Sequence, residues 1–199
     1  MRLWWPNGYG EAALYDAGFV VRVDGVMSDS LHYKAGIREV KTTADDGTLR
    51  LFVNGRKWRK LIGVNRHQDY QYLGNALANS LHWRDAKKYR DAGFTAIRNA
   101  HYPQDPAFMD ACDALGLLVI VNTPGWQFWN EKEPKFAARV YDDIAKMCRR
   151  DRSRASLLMW EPILNETRFP ADFAARARAI VKAETRGTDG VCACDRTSA

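Results

Sequence analysis

Two rhythms of apolar positions divide the chain. Up to about residue 42 the apolar runs are short and broken by turn residues. Leu14-Tyr15, Phe19–Val23 and Ile37–Val40 stand between Asn7-Gly8, Asp24-Gly25 and Gly36, a spacing that predicts short β-strands. Three or so such strands make too little sheet to stand alone. Leu49–Val53 and Lys57–Leu61 then flank Asn54-Gly55, which predicts a hairpin. From Leu61 onward, buried-type apolar runs alternate with helical patterns. Strands are predicted over Leu61–Asn65, Phe94–Arg98, Leu117–Val121, Leu157–Trp160 and Val191–Cys194. Helices are predicted between them. The first lies near Trp83–Asp91. The second has Asp105 as N-cap, Pro106 at its first position and Gly116 beyond its end. Its Phe108, Met109, Cys112 and Leu115 share one face. The third carries Phe136, Val140, Ile144 and Met147 on one side, and the fourth Phe173, Ala177, Ile180 and Val181.

Strands alternating with helices give right-handed βαβ units and an α/β fold. A doubly wound nucleotide-binding sheet would carry a glycine-rich phosphate loop after a strand, and no G-x-G-x-x-G or G-x-x-x-x-G-K stands there. Polar residues instead gather after successive strands: Asn65-Arg66-His67-Gln68-Asp69, Arg98 with His101, Asn122 to Trp126, and Asn165-Glu166. One end of several consecutive strands supplying the chemistry is the pattern of a (β/α)8 TIM barrel. Such a barrel needs roughly 250 residues, so Leu61–Ala199 is expected to hold about the first five strands.

The stretch Ser156–Thr167 concentrates the candidate chemistry. Leu157–Trp160 reads as a strand buried on both faces, ended by Glu161 and Pro162. Asn165 and Glu166 follow where the strand opens into its loop. A carboxyl held against Trp160 would be partly desolvated, raising its pKa toward that of a working proton donor. Glu166 could equally cap the helix that begins near Thr167 to Pro170.

Composition narrows the reading. The 199 residues are 46% apolar, enough for one good core or two small ones. Seven tryptophans, eight tyrosines and eight phenylalanines suit carbohydrate faces as well as cores. The net charge of +6 comes from scattered arginines, without the dense basic run or motif of a nucleic-acid binder. No apolar run reaches the length of a membrane span, and Met1-Arg-Leu-Trp-Trp-Pro lacks a signal-peptide core. The compartment stays unassigned. Cys112 and Cys148 fall on apolar helix faces, as buried thiols do. Cys192-Ala-Cys194 has no second cysteine pair or histidine cluster beside it and reads as strand rather than zinc site. Neither disulfide nor structural zinc is expected.

The ordered motifs Gly36-Ile-Arg-Glu-Val40, Asn54-Gly55, Gly63-Val-Asn-Arg-His-Gln-Asp69, Gly93-Phe-Thr-Ala-Ile-Arg98, His101-Tyr-Pro103, Cys112-Asp-Ala-Leu-Gly-Leu-Leu-Val-Ile120 and Asn165-Glu166 resemble glycoside hydrolase family 2 over nearly the whole chain. That family contains β-galactosidases, β-glucuronidases and β-mannosidases. The resemblance implies that residues 1–42 are the C-terminal part of an immunoglobulin-like β-sandwich. Residues 43–199 would be the N-terminal half of the catalytic TIM barrel, with further domain and barrel strands outside this chain. It implies a retaining hydrolase with Glu166 as general acid/base and a nucleophile expected beyond Ala199. Asn165 would hydrogen-bond the sugar 2-hydroxyl, and Arg98 would lie beside the nucleophile. His67 and His101 are candidate donors to sugar hydroxyls, with a structural role for either left open. Trp126 and Trp129 are candidates to stack on a sugar ring, and Trp129 fits a core role as well.

Two departures stand out. Trp160-Glu-Pro-Ile-Leu-Asn-Glu166 is one residue longer than the family's Trp-Ser-x-Gly-Asn-Glu and lacks its glycine. Asn122-Thr-Pro-Gly-Trp126 replaces a glutamate that binds magnesium in some β-galactosidases, so no metal or other cofactor is expected. The leading expectation is a β-galactosidase acting on terminal β-glycosides, with β-glucuronide or β-mannoside as alternative substrates. A homo-oligomeric parent is left open. A non-catalytic carbohydrate-binding or structural fragment is the reading from another class, and a phosphate-binding barrel is disfavoured because no glycine-rich loop is present. The chain alone, without the nucleophile, is expected to be inactive.

Overall fold

A computed structural model describes residues 1–45, 48–58, 60–124, 129–163 and 169–185. It opens with an antiparallel hairpin, β1 (Tyr15–Val23) and β2 (Val26–Ala35), paired from Tyr15↔Ala35 to Val23↔Val26. Its turn is Asp24-Gly25, both at positive φ (51° and 80°), as a tight turn matched to strand twist requires. The sequence pattern had β1 in two pieces and omitted β2, whose Ser28, Asp29, Ser30, His32 and Lys34 break any apolar run. The hairpin has no third strand among the described residues, and both of its strands are almost wholly exposed.

A second antiparallel sheet follows: β3 (Val40–Asp45), β4 (Thr48–Val53) and β5 (Arg56–Lys57). Ile37–Glu39 lies outside β3 because the Ile37 carbonyl is turned to accept the Trp4 N–H (2.8 Å). The Asn54-Gly55 turn forms as expected, but the returning strand is only two residues long. Beyond it Trp58 is buried, stacks on Tyr9 with ring centroids 3.9 Å apart, and donates its indole N–H to the Lys60 carbonyl.

The largest unit is a parallel sheet of β6 (Gly63–Arg66), β7 (Ala96–Asn99), β8 (Leu118–Asn122) and β9 (Leu157–Glu161), in that order. Helices α1 (Asn79–Asp91), α2 (Pro106–Leu115) and α3 (Phe136–Asp151) connect the strands, and α4 (Ala171–Thr185) follows β9. The caps read from sequence hold. Asp105 Oδ1 accepts the Ala107 N–H at 2.8 Å, Pro106 opens α2, and Gly116 closes it in the left-handed region at φ 74°. Alternation within the strands sends Val64, Ile97, Val119, Val121 and Trp160 to one face. There they pack with Tyr89 of α1, Phe108 and Met109 of α2, Ile144 and Met147 of α3, and Phe173 and Val181 of α4. All four helices therefore cover the same face of the sheet, as in a singly wound barrel and unlike a doubly wound sheet. The expected fifth strand, Val191–Cys194, lies outside the described residues, as do Cys192 and Cys194.

The opposite face holds a second core of Ala96, Leu118 and Leu158 with Trp4, Val53, Trp58 and Ala155. It is closed from the N-terminal ends of the strands. Trp4 donates its indole N–H to the Asp113 carbonyl (2.7 Å), Asn7 donates its backbone N–H to the Gly116 carbonyl (2.7 Å), and Arg38 donates to the carbonyls of Ala155 and Leu157. Gly36 is needed here, because a Cβ at that position would stand 2.5 Å from the Ala155 Cβ.

Cys112 and Cys148 are buried, and burial pushes the Cys112 thiol well above its ordinary pKa. Because the thiolate is the reactive form, iodoacetamide should leave both unlabelled in the native protein. Peptide mapping should find them alkylated only after denaturant is added.

Candidate active site

The face that carries the second core changes character toward the C-terminal ends of the strands. The register aligns Asn65 with Arg98, Arg98 with Ile120, Ile120 with Met159 and Asn122 with Glu161. Paired residues of neighbouring strands share a face, so the apolar layer of Ala96 and Leu118 gives way there to Asn65, Arg98, Asn122 and Glu161. Arg98 grips Glu161 with two hydrogen bonds, Nε to Oε2 at 2.7 Å and Nη2 to Oε1 at 2.5 Å. β8 lies between their strands, so the pair spans the concave side, where alternate strands of a barrel contribute to one layer. Asn122, on β8 between them, is fully buried, and neither its Oδ1 nor its Nδ2 has a hydrogen-bond partner among the described residues.

Beyond β6 and β7 the loops bring two imidazoles together. His67 and His101 lie edge to face with ring centroids 5.7 Å apart, and the Tyr102 ring is 6.5 Å from His67. His67 is exposed and His101 half-buried. Side-chain bonds tie these loops down: the Gln68 backbone N–H donates to Tyr102 Oη (3.1 Å), and the Gln68 Oε1 accepts the Asp105 N–H (2.9 Å). The structure thus brings three of the sequence-derived candidates, Arg98, His67 and His101, to one end of the sheet. Trp126, Asn165 and Glu166 lie outside the described residues.

One expectation changes, and of the two roles left open for Trp129 the structure takes one. Arg66, grouped by sequence with the polar residues of the mouth, points the other way. It is buried between α1 and α2, bonded to Gln104, to His82 Nδ1 at 3.2 Å and to Asp85 at 3.0 Å, with its guanidinium 4.0 Å from the centre of the Phe108 ring. Burial, then the Arg66 charge, lowers the His82 pKa. Trp129 takes the core role, packed on Phe136 (5.3 Å) and Phe173 (4.6 Å). Trp160 also lies in the helix-side core.

Glu161 is the site residue that the sequence reading passed over as a strand terminator. Its signal was the alternation: Trp160 belongs under the helices, so its neighbour must face inward. Among the described residues no three of His, Cys, Asp and Glu lie close enough to hold a metal ion. What is gathered here is a two-point cation–carboxylate pair, imidazoles and amides, a set suited to hydrogen-bonding a polyhydroxylated ligand.

Comparison with known proteins agrees with this architecture. The family model described as glycosyl hydrolases family 2, TIM barrel domain, matches residues 46–189. A β-galactosidase of Thermoanaerobacter pseudethanolicus is 34% identical over 182 residues, covering 89% of this chain and 24% of the relative. A β-glucuronidase of Bacteroides fragilis is 30% identical over 193 residues, covering 92% of this chain and 27% of the relative. The chain therefore spans about a quarter of the length of these relatives. Among solved structures, a β-glucuronidase from Ruminococcus gnavus in complex with D-glucuronic acid superposes with a TM-score of 0.82 at 20% identity, over 94% of this chain and 32% of that one. A helix-covered parallel sheet with its polar residues at the strand ends, and a family match across most of its length, place this chain in glycosyl hydrolase family 2.

Proposed function

We propose that the chain is the part of a retaining β-glycosidase that carries its general acid/base, Glu166. The observation that supports this most directly is the inward-facing Arg98–Glu161 pair at the C-terminal strand ends, beside His67 and His101, within a family of glycosidases. In this reading Glu166 protonates the glycosidic oxygen as the bond breaks, then deprotonates the water that releases the sugar. Asn165 hydrogen-bonds the 2-hydroxyl, and Trp126 stacks on a sugar ring. His67 and His101 donate to hydroxyls, while Arg98 supports the charge of a carboxylate nucleophile supplied from beyond Ala199. Asn122-Thr-Pro-Gly-Trp126 stands in place of the glutamate of the family pattern, and this scheme assigns no step to a metal.

The substrate we favour is a terminal β-galactoside, because the β-galactosidase relative has the higher identity of the two compared above. β-Glucuronide and β-mannoside are the alternatives. We further propose that residues 1–42 complete an immunoglobulin-like sandwich and that residues 43–199 begin the barrel. The exposed apolar side chains of the hairpin, Phe19, Val21, Val26 and Leu31 among them, are the kind of surface that a facing sheet covers.

The test is stereochemical. The full-length protein should hydrolyse an aryl β-galactoside with the β-anomer released first, as followed by proton NMR, whereas the 199-residue chain alone should show no turnover. First release of the α-anomer would rule out double displacement. Turnover by the isolated chain would show that both carboxylates lie within it. A full-length protein inert toward aryl β-galactoside, β-glucuronide and β-mannoside would favour a non-catalytic role.

A further inference from the structure

The pairing of Arg98 with Glu161 assigns a task to a residue that has no role in the reaction scheme above. Glu161 is the last residue of β9, and its side chain is buried, with 6% accessible against 22% for that of Arg98. Both carboxylate oxygens are engaged by one guanidinium, through Nε and Nη2. This fork-to-fork contact fixes the plane of an arginine as well as its position, which a single hydrogen bond would not do. Burying such a pair gives little net stability over apolar side chains of similar size. The neighbouring inward positions Ile120 and Met159 show that this face accepts apolar residues. The pair is therefore better explained by what it does to the arginine than by what it adds to folding.

We propose that Glu161 is a positioning residue of the active site. Its carboxylate holds the Arg98 guanidinium in one orientation at the mouth of the barrel, where Arg98 meets the reacting groups and Glu161 does not. Anchored at the end of β9 and spanning β8 to reach β7, the contact couples the strand that leads to Glu166 with the strand that carries Arg98. Asn122 is level with Glu161 on the intervening strand. The proposal rests on the glycosidase reading.

A double-mutant cycle in the full-length enzyme tests it, with kcat/KM for an aryl β-glycoside measured per folded molecule. Glu161→Ala should lower kcat/KM by about 100-fold, the scale of a catalytic group displaced by an ångström. Arg98→Ala should lower it at least as much, and the double variant should stay within about twofold of Arg98→Ala. Glu161→Gln, which still offers one acceptor, should recover about tenfold over Glu161→Ala. If Glu161→Ala does not fold, the same cycle built with Glu161→Gln carries the test. Multiplicative losses in the double variant, or unchanged kcat/KM in Glu161→Ala, would overturn the positioning role. A protein that hydrolyses glycosides and loses this on Glu166→Gln, but shows such independence, loses only this proposal. One that hydrolyses no glycoside loses both.

Discussion

Glu166→Gln in the full-length enzyme should reduce turnover of glycosides with poor leaving groups by about 10²–10⁴-fold, the usual contribution of a positioned general acid. The amide keeps the size of the side chain and loses the proton. Substrates whose leaving group departs unaided, such as dinitrophenyl glycosides, should keep their first step and stall at release of the sugar, because the same residue must then act as base. Added azide, which attacks without needing a base, should restore turnover and give the glycosyl azide. The competing reading of Glu166 as the cap of the following helix predicts something different. A lost cap costs about 1 kcal/mol of stability and leaves catalysis nearly intact. Equal rate losses for good and poor leaving groups, without azide rescue, would remove Glu166 from the acid/base role.

How much of this was legible from the residues depended on which physical signal each element carries. Helix α2 was plain because its start and end are fixed locally, by an Asp105 side chain that bonds a backbone N–H and a glycine at positive φ. Strands β8 and β9 were plain because burial on both faces makes them nearly continuous apolar runs. Strand β2 was not, since it is held by pairing with β1 and has little of its surface buried to enforce a pattern. The site shows the same divide. That polar residues follow successive strands could be read directly, but which face each one takes could not be read from its type. Arg66 and Arg98 are both arginines at strand ends, yet one is locked under the helices and the other faces the mouth. Their neighbours two residues back carried the answer: Val64 packs against the helix-side core, as Arg66 does between α1 and α2, and Ala96 lies in the inner core on the same face as Arg98. The partner of Arg98 required the sheet's curvature, because β7 and β9 are not neighbours and no local pattern links them.

Trp4→Ala should be the most damaging single truncation in the N-terminal segment, destabilising the protein by about 3–5 kcal/mol. Trp4 is fully buried and fills the space among Val53, Trp58, Ala155 and Leu158 beneath the parallel sheet. Its main chain is tied on both sides, the N–H to Ile37 and the carbonyl to Asn54 Nδ2 at 3.0 Å. These ties would hold the backbone in place and leave an open cavity rather than a collapsed one. The lost indole N–H also strands the buried Asp113 carbonyl, adding to the penalty. For a unit of this size the loss corresponds to a fall of about 10 °C in the melting temperature. Trp4→Phe, which keeps most of the apolar contact and gives up the hydrogen bond, should cost about 1–2 kcal/mol. Trp83→Ala, at a side chain with 42% of its surface exposed, should cost less than Trp4→Ala. Thermal unfolding followed by far-UV circular dichroism ranks the three variants. If Trp4→Ala unfolds with the parent protein, the N-terminal segment does not seal the base of the parallel sheet.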